Sequence, residues 1–213
     1  MIKIHPSSLG EIMTMAKGKA KNPKVLSVGA MTHCYLKAKE FVYGYKPDIG
    51  SKYLDKGIMC EDDSIRLYNS VFFTSFKKNS ERRESEYLTG ECDIHSDEII
   101  IDIKTAWSLQ TFPALSSRID SKLYDWQGRA YMDLWGVKKF RVAYCMVDTP
   151  ESLIKYEPEE LHVVSEIDPS LRVTVKDFDF DQEKSDLIKI KCFAAQNQIE
   201  RFIEEIAVEH SEL

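Results

Sequence analysis

The chain lacks any stretch that could span a membrane. None of its apolar runs approaches the roughly 18 residues that a membrane-spanning helix needs. Its start, Met-Ile-Lys-Ile-His-Pro, has no apolar segment of the kind found in signal peptides. We therefore expect a soluble, cytoplasmic protein with no membrane partner.

The chain also lacks close pairs of thiols or imidazoles. Its five cysteines stand far apart in the sequence: Cys34, Cys60, Cys92, Cys145 and Cys192. Without a Cys-x-x-Cys pair they predict neither a zinc site nor a disulfide framework. The histidines are equally scattered and lack the spacing that places two imidazoles on one metal. Any metal must be held by oxygen ligands.

A surplus of positive charge is missing as well. The formal net charge of -6 argues against a protein that coats nucleic acid indiscriminately, because phosphate binding relies on clustered Lys and Arg. It does not exclude a nuclease, because a metal site concentrates carboxylates. Basic residues still form two local groups: Lys17, Lys19, Lys21 and Lys24, and Lys77, Lys78, Arg82 and Arg83. Such groups are typical of solvated surface and are also compatible with a local contact to phosphate.

The chain has enough apolar sequence for one core. Its 213 residues are 43% hydrophobic, which fits a single domain over residues 1–213. Residues 1–70 are predicted to be mainly helical: one helix starts at Ser8 in a capping-box pattern, and others cover residues 29–43 and 51–69.

Residues 71–147 have the pattern of a sheet with a crossover helix. Short runs predict strands at residues 71–76, 85–89, 91–95 and 98–103. The dipeptide Ser96-Asp97 would join the last two into a hairpin. A helix over residues 122–135, followed by an apolar strand over 140–147, indicates a crossover against the sheet.

Residues 148–213 add one strand and a terminal helix. The strand is predicted over residues 171–178, and an amphipathic helix follows it. The expected fold class is therefore α/β, with a mixed central sheet flanked by helices.

The main chemical signal lies in the strand Ile99-Ile-Ile-Asp102-Ile-Lys104. Side chains alternate along a strand, so Asp102 and Lys104 project from one face while isoleucines pack the other. Burying an acid and an amine there costs free energy unless they are paired or bound to metal. The predicted hairpin would bring Asp93 to the same face.

This grouping suits phosphodiester hydrolysis. Carboxylates hold magnesium or manganese, and the backbone carbonyl of Ile103 is a further candidate ligand. Lys104 could orient or deprotonate a water activated by the metal, or offset charge on the phosphate. Trp107 and Phe112, just after the strand, could stack on terminal bases or act as packing anchors.

Each of these signals is weak when taken alone. An Asp-x-Lys strand is more often an exposed edge with a cross-strand ion pair. Glu61 beside Asp62 and Asp63 would by itself indicate helix surface. The specificity comes from four motifs in order: Pro6-Ser-Ser-Leu, Lys56-Gly-Ile-Met-Cys-Glu61, the Asp93/Asp102/Lys104 set, and Tyr124-Asp-Trp-Gln127-Gly-Arg-Ala-Tyr131.

With these motifs the chain resembles the PD-(D/E)XK nucleases, specifically the lambda-exonuclease and YqaJ-like viral recombinase branch, over most of its length. Cys92 stands where the family name has proline, and Asp102 where this branch more often has glutamate. The shorter Asp102 leaves the metal spacing and the carbonyl contact open.

The resemblance implies a restriction-endonuclease-like core and a metal-dependent exonuclease that digests double-stranded DNA ends 5′ to 3′. It would leave 3′ single-stranded tails for an annealing protein, in a bacterial or phage-infected cell. The resemblance makes Glu61, Asp93 and Asp102 metal ligands for two magnesium ions, or for manganese. It makes Lys104 the catalytic lysine and Gln127 a supporting residue.

The resemblance further implies that Ser8 and Tyr131 bind the DNA end and that the subunits form a ring-shaped homo-oligomer. Two other functions remain open. The same centre could cut endonucleolytically, as restriction-type or junction-resolving relatives do. The fold could also serve as a non-catalytic DNA-binding or assembly module, although such a module would be expected to lose an acid or the lysine. No iron–sulfur cluster is expected, because the clustered late cysteines of those relatives are missing.

Overall fold

The computed structural model describes residues 2–16, 22–47 and 50–211. Three lysines of the first basic group, Lys17, Lys19 and Lys21, lie outside these residues. In chain order the elements are α1 (Leu9–Ile12), α2 (Val28–Tyr43), α3 (Lys52–Met59), α4 (Glu61–Phe72), β1 (Arg83–Glu84), β2 (Thr89–Gly90), β3 (Ile94–His95), β4 (Ile99–Thr105), α5 (Ser121–Trp135), β5 (Lys139–Cys145), α6 (Glu151–Ile154), β6 (Val173–Asp179) and α7 (Gln182–Ser211). Within the described ranges, no helix is both long and apolar enough to cross a membrane.

A mixed sheet of 4 strands, in the order β3-β4-β5-β6, forms the centre of the fold. Strands β4 and β5 are parallel and are joined through α5, as the predicted crossover requires. The edge strands β3 and β6 are antiparallel to their neighbours. The predicted hairpin is confirmed, because β3 and β4 pair and the Ser96 N–H donates to the Ile99 carbonyl at 3.0 Å.

Helices cover both faces of the sheet. On one face, Ile101 and Ile103 pack against α4, as the alternating pattern predicted. On the other face, Ile100 packs with α5, and Asp102 and Lys104 share this second face. The mixed α/β fold predicted from the sequence is thereby confirmed.

A helical layer of α1, α2 and α7 packs on the outer side of α5 around Ala130. This layer and the two faces of the sheet are separate apolar regions, and all five cysteines are buried in them without disulfide bonds. Cys34 and Cys192 lie in the helical layer, Cys92 on the α5 face, and Cys60 and Cys145 on the α4 face.

The helix predicted over residues 51–69 is two helices. Cys60 has φ -109° and ψ 13°, outside the helical region, and it is both the C-cap of α3 and the N-cap of α4. The sequence has no Gly or Pro at residues 59–61, so it contains no local signal that predicts the break. As a result Glu61 is the first residue of α4.

Two of the predicted strands are wrong. Over residues 71–76, α4 continues to Phe72, and Phe73 is its C-cap with a left-handed φ of 52°. Over residues 85–89, most of the segment is the turn between β1 and β2, in which the Leu88 N–H donates to Ser85 Oγ at 3.0 Å. Ser8 is the N-cap of α1 as predicted, but its side chain makes no capping hydrogen bond and the helix ends at Ile12.

Gly128 sets how closely α5 approaches the sheet. A Cβ added there would lie 2.1 Å from a ring carbon of Phe140, which is fully buried. Overpacking of this kind costs about 1–3 kcal/mol, so we expect Gly128→Ala to lower the Tm by roughly 3–10 °C in thermal denaturation.

The matched control is Gly57→Ala in α3, where an added Cβ meets nothing within 4 Å. Because alanine favours helix over glycine by about 1 kcal/mol, this variant should keep or raise the Tm. Equal losses of Tm in the two variants would contradict the packing explanation.

Candidate active site

Asp102 lies at the centre of the predicted site. It is 3% exposed, in the middle of β4, and its Oδ1 accepts a hydrogen bond from Gln127 Nε2 at 3.1 Å. The Lys104 ammonium lies 2.7 Å from Oδ2 of the same carboxylate. This ion pair contributes to the raised pKa of Lys104. Asp102 is therefore held at both carboxylate oxygens, at Oδ1 by an amide and at Oδ2 by an ammonium.

Lys104 stands two residues further along β4, with its side chain 33% exposed. Its Nζ lies 5.9 Å from the centre of the Tyr124 ring. Burial lowers the pKa of this ammonium, but the carboxylates of Asp102 and Asp93 outweigh burial and the net shift is upward. Lys104 is therefore charged at neutral pH, which favours charge stabilisation or water orientation over proton abstraction.

Asp93 precedes β3 and lies across the hairpin from Asp102. The Ile103 N–H donates to its Oδ2 at 2.7 Å. Burial, together with the nearby Asp102 carboxylate, raises the pKa of Asp93 to about 7, against the opposing effect of Lys104. Two acids thus repel each other beside a single ammonium.

Glu61 reaches this group from the start of α4. Its Oε2 accepts from the Lys78 ammonium at 2.5 Å, and this hydrogen bond raises the pKa of Lys78. The Glu61 carboxylate is also close enough to raise the pKa of Asp93. Sequence reasoning placed Lys78 in a basic group but missed its pairing with the acid.

The residues present fit a hard divalent cation. All candidate ligands are oxygen donors, and added positive charge would relieve the repulsion between the Asp93 and Asp102 carboxylates. Across the described ranges, no three His, Cys, Asp or Glu side chains are close enough together to hold a metal ion as they stand. Glu61 is paired with Lys78 instead.

Helix α5 supports the site from the side opposite α4. Gln127, 9% exposed, is in direct contact with Asp102, and the Tyr124 and Tyr144 hydroxyls are 2.7 Å apart beside Lys104. Tyr131 is 3% exposed, stacks on Phe140 and donates its hydroxyl to the Glu91 carbonyl at 3.0 Å. This burial makes Tyr131 a packing residue in the free protein.

Ser8 lies apart from the acids. It borders a cavity of about 130 Å³ with Lys3, His5, His33 and Lys37. The segment that carries it adjoins β2, which comes just before Asp93 in the chain, because a Cβ at Gly90 would lie 2.9 Å from the Pro6 ring. The structure therefore brings Asp93, Asp102, Lys104 and Gln127 together, places Glu61 at their edge and leaves Ser8 at a neighbouring cavity.

Trp107 and Phe112 are packing anchors. Trp107 is buried and its indole N–H donates to the Glu157 carboxylate at 2.9 Å. Phe112 packs against the small apolar cluster around Met146. The buried Trp107 ring is not available to stack on a base in this arrangement, whereas Phe112 is half-buried.

Comparisons with known proteins give matches among solved structures. No protein-family model and no curated protein matches the chain. A phage-related exonuclease from Haemophilus somnus 129PT superposes with a TM-score of 0.90 and 32% sequence identity, over 96% of this chain and 96% of its own.

An alkaline exonuclease from Laribacter hongkongensis superposes with a TM-score of 0.73 and 11% identity, over 99% of this chain and 94% of its own. Its complex with dAMP gives a TM-score of 0.70 and 12% identity over the same shares. The Laribacter structures share the fold, whereas the Haemophilus structure is similar in sequence as well.

Proposed function

Because this chain belongs to the phage-related, lambda-exonuclease-like family of PD-(D/E)XK exonucleases, we propose that it hydrolyses phosphodiester bonds at double-stranded DNA ends with magnesium as cofactor. The proposed direction is 5′ to 3′, leaving 3′ single-stranded tails for recombination by strand annealing. The observation that carries the proposal is the contact of Asp102 with both Lys104 and Gln127, beside the acid Asp93. Charged groups buried on an aliphatic strand destabilise a fold, so their clustering points to a functional site.

Asp93, Asp102 and Glu61 are the proposed ligands for two magnesium ions, which manganese could replace, and the Ile103 carbonyl is a fourth candidate. Glu61 would exchange its bond to Lys78 for the metal. When bound, magnesium would activate water and neutralise charge that develops on the phosphate.

The chain's own residues supply orientation and charge. Gln127 holds Oδ1 of Asp102, which fixes the carboxylate so that Oδ2 stays on the Lys104 side. The Lys104 ammonium would stabilise negative charge on the scissile phosphate. Lys78 and Arg82, which precede the hairpin, would lie close to the DNA backbone.

The cavity beside Ser8 supports a contact with the DNA end. Burial and the Lys37 ammonium lower the pKa of His33, and burial together with Arg82 lowers the pKa of His5. The Lys3 and Lys37 ammoniums at this cavity are paired with Glu84 and Glu40, and an anionic phosphate that displaced these carboxylates would find hydroxyl, imidazole and ammonium donors there. We assign the end-binding role to Ser8 alone.

The remaining parts of the proposal concern assembly and location. We propose a ring-shaped homo-oligomer that encloses the duplex, a single-strand annealing protein as partner, and the cytoplasm of a bacterial or phage-infected cell as the location. An acidic exterior with basic residues near the site is consistent with the net charge of -6.

The deciding assay compares linear duplex DNA with covalently closed circular DNA in the presence of Mg²⁺. We expect nucleotides to be released from the linear duplex, the 5′-terminal label before the 3′-terminal label, with no release in EDTA. Duplexes with 5′-phosphate and 5′-hydroxyl ends, run in parallel, measure the contribution of the terminal phosphate. Cutting of the circle would favour an endonuclease, and no Mg²⁺-dependent release from either DNA would remove the nuclease proposal.

A further inference from the structure

Lys56 is a buried cation whose hydrogen-bond acceptors are both neutral. It lies in α3 and is fully buried. Its ammonium donates to the backbone carbonyls of Trp107 at 3.0 Å and Val147 at 2.9 Å. Burial lowers the pKa of Lys56 to about 8. An apolar side chain of the same length would fill this space at a lower desolvation cost, so packing alone does not explain a lysine here.

The two acceptors of Lys56 lie just beyond the ends of the central parallel strands. Trp107 follows β4 and Val147 follows β5, where the register pairs Thr105 with Cys145. The last bond of this ladder runs from the Ala106 N–H to the Cys145 carbonyl at 2.9 Å. Lys56 therefore links β4 and β5 past the last backbone hydrogen bond of their ladder, at a Trp107 carbonyl that also accepts from the Thr149 hydroxyl at 3.1 Å.

Two further hydrogen bonds connect the junction of α3 and α4 to the same end of the sheet, where β4 and β5 end. Cys60 Sγ donates to the Asp148 carbonyl at 3.7 Å, and the Ser64 and Thr105 hydroxyls are 2.8 Å apart. Glu61 stands between these two points of attachment. Its backbone is thus tied to the strand that carries Asp102 and Lys104.

We propose that Lys56 is a positioning residue that sets where Glu61 stands relative to Asp102 and Lys104. Its ammonium binds the ends of both parallel strands at once and holds the first turn of α4 against them. This role rests on the proposed function, because Glu61 needs a fixed position only if it joins the two aspartates as a ligand. Lys56 itself need not touch DNA or metal.

The chain offers a matched control in Lys191. This residue of α7 is also fully buried, and its ammonium donates to the backbone carbonyls of Val25 at 3.0 Å and Thr14 at 3.4 Å. It has the same chemistry as Lys56 but lies in the helical layer outside the site. Lys56→Met and Lys191→Met therefore remove equivalent groups from two places.

The experiment measures kcat and KM on linear duplex DNA, and Mn²⁺ affinity by calorimetry without DNA. We expect Lys56→Met to lower kcat about 10- to 100-fold and to weaken Mn²⁺ binding by a similar factor, because it disturbs the support of a ligand. The KM for DNA should stay within about threefold of wild type, since DNA contacts are retained. Lys191→Met should keep wild-type kcat and Mn²⁺ affinity whatever its Tm.

Two further variants keep the test informative if Lys56→Met does not fold. Lys56→Arg keeps a cationic donor and should recover part of the lost kcat. Ser64→Ala breaks the second attachment and should lower kcat with KM unchanged, even if Lys56→Met does not fold.

Wild-type kcat and Mn²⁺ affinity in Lys56→Met, or in Ser64→Ala when Lys56→Met is unfolded, would overturn the positioning role alone. So would equal losses in Lys191→Met. A wild-type protein that neither binds Mn²⁺ nor hydrolyses DNA would overturn the proposed function together with this role.

Discussion

Lys104→Met is expected to bind divalent metal at least as tightly as the wild-type protein while hydrolysing linear DNA about 100- to 1000-fold more slowly. The Lys104 ammonium lies 2.7 Å from Asp102 Oδ2 and partly neutralises the acids that would hold the metal. Its removal leaves those acids more available to a cation. It also removes the ammonium charge that would stabilise the scissile phosphate. The affinity for metal should therefore stay the same or rise, while the rate of hydrolysis falls.

Calorimetric titration with Mg²⁺ and single-turnover hydrolysis measure the two effects separately. Asp102→Asn is the counterpart and should lose both metal affinity and rate. Lys176→Met is the control: this strand lysine, on β6, donates to the Ile119 carbonyl at 3.0 Å and should leave the rate unchanged. A parallel loss of metal affinity and rate in Lys104→Met would show that the lysine maintains the geometry of the site instead.

Asp93→Asn is expected to make the metal-free protein more stable at pH 8, by about 4–10 °C in Tm, and to have about a third of this effect at pH 5. The pKa of Asp93 is raised to about 7 by burial and by the Asp102 carboxylate. The folded state therefore holds this proton more tightly than the unfolded state does. The bound proton at Asp93 stabilises the folded state fully below the unfolded pKa near 4, and this stabilisation is lost as the pH rises through about 7. The total loss is roughly 2–4 kcal/mol.

An asparagine keeps an oxygen that can accept from the Ile103 N–H but carries no charge, so the variant should lack this pH dependence. Thermal denaturation in EDTA at pH 5 and pH 8 measures the effect. Adding Mg²⁺ at pH 8 should stabilise wild type and do little for Asp93→Asn. Asp97→Asn, an exposed acid in the hairpin turn, is the control. A Tm difference of the same size at both pH values would show that the acid's charge is not its cause.

The long elements could be predicted because their periodicity extends over many residues. The helices α2 and α5 and the strands β4, β5 and β6 lie within a few residues of the predicted ranges, and α7 is the predicted terminal helix. The break at Cys60 and the short ribbon of β1 and β2 could not be predicted, because tertiary contacts decide them. Residues 71–76 have strand-like composition, but Phe72 and Phe76 pack against Tyr68 of α4.

The centre of the site could be predicted from alternation in β4 and from the hairpin, which together place Asp93, Asp102 and Lys104 on one side. Gln127 needed the ordered motifs in addition. The contacts of Lys56 could not be predicted, because its acceptors lie 51 and 91 residues further along the chain. The burial of Tyr131 likewise depends on Phe140, which the helical pattern alone does not place.

The five buried cysteines give the protein native reporters of local opening. Burial raises the pKa of Cys34 to about 11, that of Cys92, Cys145 and Cys192 to about 12, and that of Cys60 as well. Such thiols react with an alkylating reagent only when the packing around them separates. The cysteines are divided among the helical layer and the two faces of the sheet. Their alkylation rates would therefore show which of these regions opens most slowly, without any introduced label.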